Sequence, residues 1–148
     1  MLELRDGLTT LTVDVEATRH LYALRNAGEN CKCHGCGWFA AHHEEAYPPS
    51  FRVLLESLGI DVSLPNEVVT YADDIPNQVL PVYVDGTFDF VGSFQQTEKI
   101  NADLPLASLP GGFRYRFLNG WGQPRQRGMP ANFSPISHVA FEWLPGAA

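Results

Sequence analysis

No stretch of this 148-residue chain approaches the ~20 consecutive apolar residues that a bilayer-spanning helix needs, so no membrane segment is expected. The opening Met-Leu-Glu-Leu-Arg-Asp lacks a basic region followed by an apolar one. No signal peptide is therefore expected, and the chain is expected in the cytoplasm as a soluble protein. Catalytic signatures are equally scarce: there is no Gly-x-Ser-x-Gly elbow, no Walker loop and no dinucleotide-binding glycine motif. Cysteine is sparse and crowded. The three thiols, Cys31, Cys33 and Cys36, fall so close together that a bridge between any two would close almost no loop, and an odd count leaves one over. A disulfide framework is excluded, and in a reducing cytosol the thiols stay free for other chemistry. Gly and Pro fill 13 and 11 positions beside an apolar content of 45%, which excludes collagen-like and disordered compositions. What remains is a chain long enough to bury one core, expected as a single domain over 1–148.

Charged residues make up only 18% of the chain, with a net charge of −7, and they are unevenly placed. Between Asp103 and Glu142 no acidic residue occurs, while Arg114, Arg116, Arg125 and Arg127 sit inside that gap. The final third is therefore basic and the rest acidic. A nucleic-acid footprint is denser in Lys and Arg and accompanies a high pI, so nucleic acid is not the expected partner. The simplest reading packs the basic part beside the acidic part. Binding of an anionic ligand or an acidic partner is the other; Trp121, Arg125 and Arg127 in a Gly/Pro-rich loop read either as a plain exposed loop or as an anion-binding lip.

Periodicity supplies the expected elements. Leu11, Val13 and Val15 alternate with polar residues as a strand, and residues 16–27 follow as a short helix closed by Gly28 and Asn30. The cysteine segment reads as a loop, loosened by Gly35 and Gly37, and Trp38 to Ala46 as a helix. Pro48-Pro49 opens another, whose Phe51, Leu54, Leu55 and Leu58 stand at i, i+3, i+4 and i+7, with Gly59 placed for a left-handed cap. After Pro65 the pattern turns to β. Val68 to Tyr71 is one strand. Val79–Val84 and Thr87–Val91 flank Asp85-Gly86 as a two-residue hairpin, which would set Tyr83 opposite Phe88 and Pro81 opposite Phe90. Phe113, Tyr115 and Phe117, and later Val139, Phe141 and Trp143, alternate with polar neighbours as strands with one apolar face. Segments 101–112 and 119–135 read as loops. The expected fold class is α+β, a helical first half packed on a mostly antiparallel sheet from the second half.

Cys31-x-Cys33-x-x-Cys36 is the strongest chemical signal. Thiolates are soft ligands, and three in one loop can converge on zinc at about 2.3 Å each. A fourth ligand is needed, a His, an Asp or Glu, or water, and the nearby histidine candidates are His42 and His43, with His34 crowded between two thiols. If Cys36 opens a helix, His43 lies about 10 Å further along its axis, and the i+3 and i+4 positions are Phe39 and Ala40, which carry no ligand atom. If the helix starts at Trp38, the loop can fold back toward His42 or His43. Reactive dithiol chemistry and an inert thiol cluster are the alternatives. In His42-His43-Glu44-Glu45, His42 and Glu45 share a helix face able to hold a metal or a proton, or merely a solvated face. The run does not match His-Glu-x-x-His. His20 and His138 are isolated and read as packing or surface residues, and Phe88, Phe90 and Phe94 as core.

With these residues in view, the run Cys-x-Cys-x-x-Cys-x-x-Phe, Pro-Pro-x-Phe, Leu-Leu-x-x-Leu-Gly-Ile-Asp, Pro-x-Glu-Val and Tyr over 31–71 resembles a group of small uncharacterised bacterial proteins. So do Tyr-x-x-Gly, Phe and Gly over 83–92 and the final Phe-x-Trp-Leu-Pro. The resemblance implies that Cys31, Cys33 and Cys36 act as a unit and brings no activity with it. The cysteine loop is also similar to the catalytic zinc loop of the glutathione-dependent formaldehyde-activating family, but the further cysteines of that family's second zinc are missing here. The expected function is a small cytoplasmic protein with zinc at Cys31, Cys33 and Cys36, serving structure or the binding of a protein partner or small ligand. The alternatives are an enzyme with an open three-thiolate zinc and His42 or Glu45 carrying protons, or a metal-free, immunity-type protein whose acidic face meets a basic partner.

Overall fold

One long strand organises the molecule. In the computed structural model, which describes residues 1–25, 34–71, 83–96, 107–119 and 135–145, the elements run in the order β1 (Leu2–Asp6), β2 (Thr9–Val13), α1 (Val15–Ala23), α2 (His34–Ala46), α3 (Pro49–Ser57), β3 (Glu67–Tyr71), β4 (Tyr83–Gln96), β5 (Ala107–Leu109), β6 (Phe113–Asn119) and β7 (Ile136–Trp143). The sheet order is β1-β2-β4-β7-β6-β5, with β3 also on β4, and every described pairing is antiparallel. The α+β class stands. The helices-first arrangement does not, because β1 and β2 form a hairpin at the N-terminus and join the same sheet.

The expected hairpin at Asp85-Gly86 is overturned. β4 passes straight through these residues, with Gly86 paired to Phe141 across β7 and to Val68 across β3. Tyr83 therefore shares one strand with Phe88 instead of facing it, and Pro81, expected opposite Phe90, lies outside the described residues. Gly86 serves packing here rather than turning: a Cβ would stand 2.7 Å from the Phe141 ring and 2.7 Å from the Glu67 carbonyl oxygen. A strand glycine beneath an aromatic ring marks a close approach, and a two-residue sequence window cannot distinguish that from a turn.

Even-numbered residues of β4 face the core. Val84, Phe88 and Phe90 are fully buried with Val139 and Phe141 of β7 and Phe113 and Phe117 of β6. α2 and α3 cover this face. Phe51 lies 4.7 Å from Phe113 and 5.1 Å from Tyr115, ring centre to ring centre, and Tyr47 lies 5.5 Å from Phe141. The stripe expected on α3 is the buried one, and Gly59 takes a φ of 86° just after its last turn. The sheet also curls. Tyr115 in β6 donates to Asp6 in β1 at 2.8 Å across four strand positions.

Several boundaries moved. α1 starts one residue early because Asp14 caps it through the Ala17 amide at 3.0 Å, and it ends at Ala23; Gly28 and Asn30, expected to close it, lie outside the described residues. α2 begins at His34 instead of Trp38, so Cys36 lies within the helix. β2 ends at Val13, leaving Val15 to the helix, and a short strand, β5, sits in the segment expected as a loop.

α1 fills a notch in the sheet. β3 pairs with β4 up to Thr87 and β2 from Gly92, both on the edge away from β7, so the backbone between them has no strand partner there. The Tyr22 hydroxyl donates to the Asp89 carbonyl at 2.8 Å and accepts from the Asp89 amide at 3.0 Å. The Thr18 hydroxyl accepts from the Val91 amide at 3.0 Å, and the Asp14 amide donates to the Val91 carbonyl at 2.9 Å. Two side chains and a helix terminus thus complete a ladder that lacks a strand.

Candidate functional site

The expected zinc ligands are only partly placed. Cys31 and Cys33 lie outside the described residues, as do Trp121, Arg125 and Arg127, and Cys36 is described by its backbone alone, in the opening turn of α2. His42 and His43 lie on the same helix, six and seven residues beyond Cys36, which is roughly 9–10 Å of rise. The His42 ring stacks on Trp38 with centres 4.6 Å apart, and its Nδ1 donates to the Trp38 carbonyl at 2.8 Å. His43 Nδ1 donates to the Ala40 carbonyl at 3.0 Å, and its ring lies 5.9 Å from Tyr47. Among the described residues, no group of three His, Cys, Asp or Glu side chains is assembled to hold a metal ion.

Odd-numbered residues of β4 face away from α2 and α3, and two polar constellations lie on that side. The first is buried. Asp89 sits opposite His138 in the β4–β7 register, with Oδ1 2.5 Å from His138 Nδ1 and Oδ2 accepting from Arg25 Nη2 at 2.8 Å. Arg25 Nη1 donates to the Leu64 carbonyl at 2.7 Å, and the guanidinium lies 4.1 Å from the centre of the Tyr22 ring. Asp89 and His138 are 1% and 6% exposed, so a charge left alone here would be costly, and mutual pairing meets both Asp89 oxygens, while the buried Arg25 Nε has no hydrogen-bond partner among the described residues. Burial holds the Tyr22 phenol protonated well above the ordinary tyrosine range, against the pull of the adjacent guanidinium. An Asp–His pair is half of a proton relay, but no hydroxyl or thiol among the described residues bonds to His138. The arrangement fastens α1 and the segment around Leu64 to β4. His138, expected as packing or surface, is a packing residue, whereas His20 is exposed on α1.

The second constellation is open. A groove of about 440 Å³ lies over the ends of β3, β4, β7 and β6. Register explains it. One cross-strand row reads Arg116, Ala140, Thr87, Glu67, and the next reads Arg114, Glu142, Asp85, Val69. Short side chains at Ala140 and Thr87 leave a floor between a cation at one end and a carboxylate at the other. Glu142 pairs with Arg114 and accepts from the Tyr83 hydroxyl at 2.8 Å. Asp85 is its direct neighbour across β4 and β7, and the Tyr83 hydroxyl engages it too. Partial burial, together with the charges of Glu67 and Glu142, pushes the Asp85 carboxyl above the usual carboxylate range, although Tyr83 pulls it down. Burial, the bond to Glu142 and both acidic charges keep the Tyr83 phenol protonated far above its ordinary range. Arg116 lines the groove and has no ion-pair partner among the described residues.

The sequence singled out none of the groove's acidic side chains as a candidate site residue: Asp85 read as a turn residue, and Glu142 only closed the acid-free stretch. The alternations around Arg114 and Glu142 indicate a polar face, but only register shows that four strands contribute to one floor. Arg116 does bring the basic final third beside Glu67 and Asp85 of the acidic part. No helix among the described residues is long and apolar enough to cross a membrane. Compared with protein-family models, curated proteins and solved structures, the chain finds no match in any of the three.

Proposed function

We propose that this chain is a small binding protein that recognises a ligand or partner in the groove on the open face of its sheet. The observation that carries this reading is the row Arg116, Ala140, Thr87, Glu67, in which charges of both signs flank a floor of short side chains. Arg116, Ala140 and Thr87 are half-buried and Glu67 is exposed, and concave sites with a few fixed polar groups are where small ligands bind. Zinc at Cys31, Cys33 and Cys36 belongs to the same proposal as a structural pin. Support comes from the Cys-x-Cys-x-x-Cys ligand spacing.

Amide-resolved NMR titrations with L-arginine, L-glutamate and spermidine test the groove. At least one probe is expected to shift the amides of Thr87, Ala140 and Glu142, and no shift with any of the three overturns the reading. Elemental analysis tests the pin: stoichiometric zinc that is lost in Cys33→Ser is expected, and metal-free protein with all three thiols titrating freely refutes it.

A further inference from the structure

Resting on the groove being the binding site, we infer that its ligand is a zwitterion with separated charges, of the basic amino-acid kind. Its amine or guanidinium would sit among Asp85, Glu142 and Glu67, and its carboxylate on Arg116. Uncompensated charges of both signs, Asp85 and Glu67 against Arg116, define this occupant. Arg114 already pairs with Glu142, whereas neither Asp85 nor Arg116 has an ion-pair partner among the described residues. A groove that binds only anions would not set Asp85 between two other carboxylates, and one that binds only cations would not place Arg116 on the same floor. A bare metal ion fits poorly, because no three acidic or imidazole groups among the described residues close around a point. A cation spread over several atoms, such as a guanidinium, can instead reach carboxylates that stand apart and bond them in its plane.

The spacing favours a long molecule. At ~4.8 Å per strand, the Arg116 backbone stands roughly 10 Å from Thr87 and roughly 14 Å from Glu67. The side chains reach inward from both ends, which leaves room for a linker of several carbons between ligand charges. The adjacent ammonium and carboxylate of a small α-amino acid would satisfy only one end. The hydroxyl of Thr87 and the small Ala140 beneath accommodate an aliphatic linker.

Binding of L-arginine and of agmatine, its decarboxylated form, separates the two contacts in the intact chain. Wild-type protein is expected to bind arginine about tenfold more tightly than agmatine, the difference being the carboxylate's bond to Arg116. Arg116→Gln should erase that preference while leaving agmatine binding intact. Asp85→Asn should weaken both by about tenfold or more, with a native amide spectrum showing that the variant is folded. Equal binding of the two ligands by the wild type, or full binding by Asp85→Asn, overturns the inference. Groove amides that respond to glutamate or spermidine but not to arginine overturn the ligand class alone. Silence toward every probe overturns the groove itself.

Discussion

The Tyr22 hydroxyl serves Asp89 as a neighbouring strand would, donating to its carbonyl at 2.8 Å and accepting from its amide at 3.0 Å, both deep in the protein. Tyr22→Phe strands both backbone groups. A loss of about 1–3 kcal/mol is expected from urea denaturation. Tyr47→Phe should do the reverse. Tyr47 is equally buried, but its hydroxyl has no partner among the described residues, so removing it should leave stability unchanged or slightly higher. Losses of similar size in both variants would contradict this distinction.

Arg25 and Asp89 form an ion pair whose side chains are 8% and 2% exposed. Replacing either alone, as Arg25→Met or Asp89→Leu, leaves a charged partner in a dry site and should cost about 3–5 kcal/mol. The double variant should recover part of that loss. Strict additivity in the double-mutant cycle would show the pair to be uncoupled.

Two glycines respond oppositely to a methyl group. Gly86→Ala drives a Cβ against the Phe141 ring and the Glu67 carbonyl and should destabilise by about 1–3 kcal/mol. Gly37 lies within α2 with open space where its Cβ would go, so Gly37→Ala should stabilise by about 0.5–1 kcal/mol. Thermal midpoints that move in the same direction would contradict one of these placements.

Asp85 gives the groove a pH signature. Its folded carboxyl is raised above the ordinary 3.8, chiefly by burial and then by Glu67 and Glu142. The folded state therefore holds the proton to higher pH than the unfolded state, and this residue's contribution to stability falls as pH rises through that window. Asp85→Asn should be more stable than wild type at neutral pH, and the gap should close as pH drops below 3.8. Urea midpoints across the acid range check the sign, and a variant less stable at neutral pH would reverse the assignment.

Local pattern carried much of the fold. The i, i+3, i+4, i+7 stripe of α3 and the alternations in β6 and β7 each depend on one element burying one face, and that is visible from a dozen residues. Asp85-Gly86 misled because the need for glycine there arises from Phe141, more than fifty positions away. The same limit hid the candidate site. Asp89 and His138 are ordinary letters until antiparallel pairing sets them side by side, and the groove exists only where Ala140 and Thr87 share a row. The proposed cysteine ligands showed the converse: their spacing is conspicuous in sequence, while Cys31 and Cys33 lie outside the described residues.

The notch that α1 fills has a further consequence. Four residues of β4 between its pairings with β3 and β2 would, if bare, offer an outside chain an amide and carbonyl row ready for strand addition. Asp14, Thr18 and Tyr22 occupy that row with groups that cannot be extended into another ladder. The helix thus acts as a guard against self-association, and any state in which it lifts away would expose a sticky edge in the middle of the sheet's longest strand.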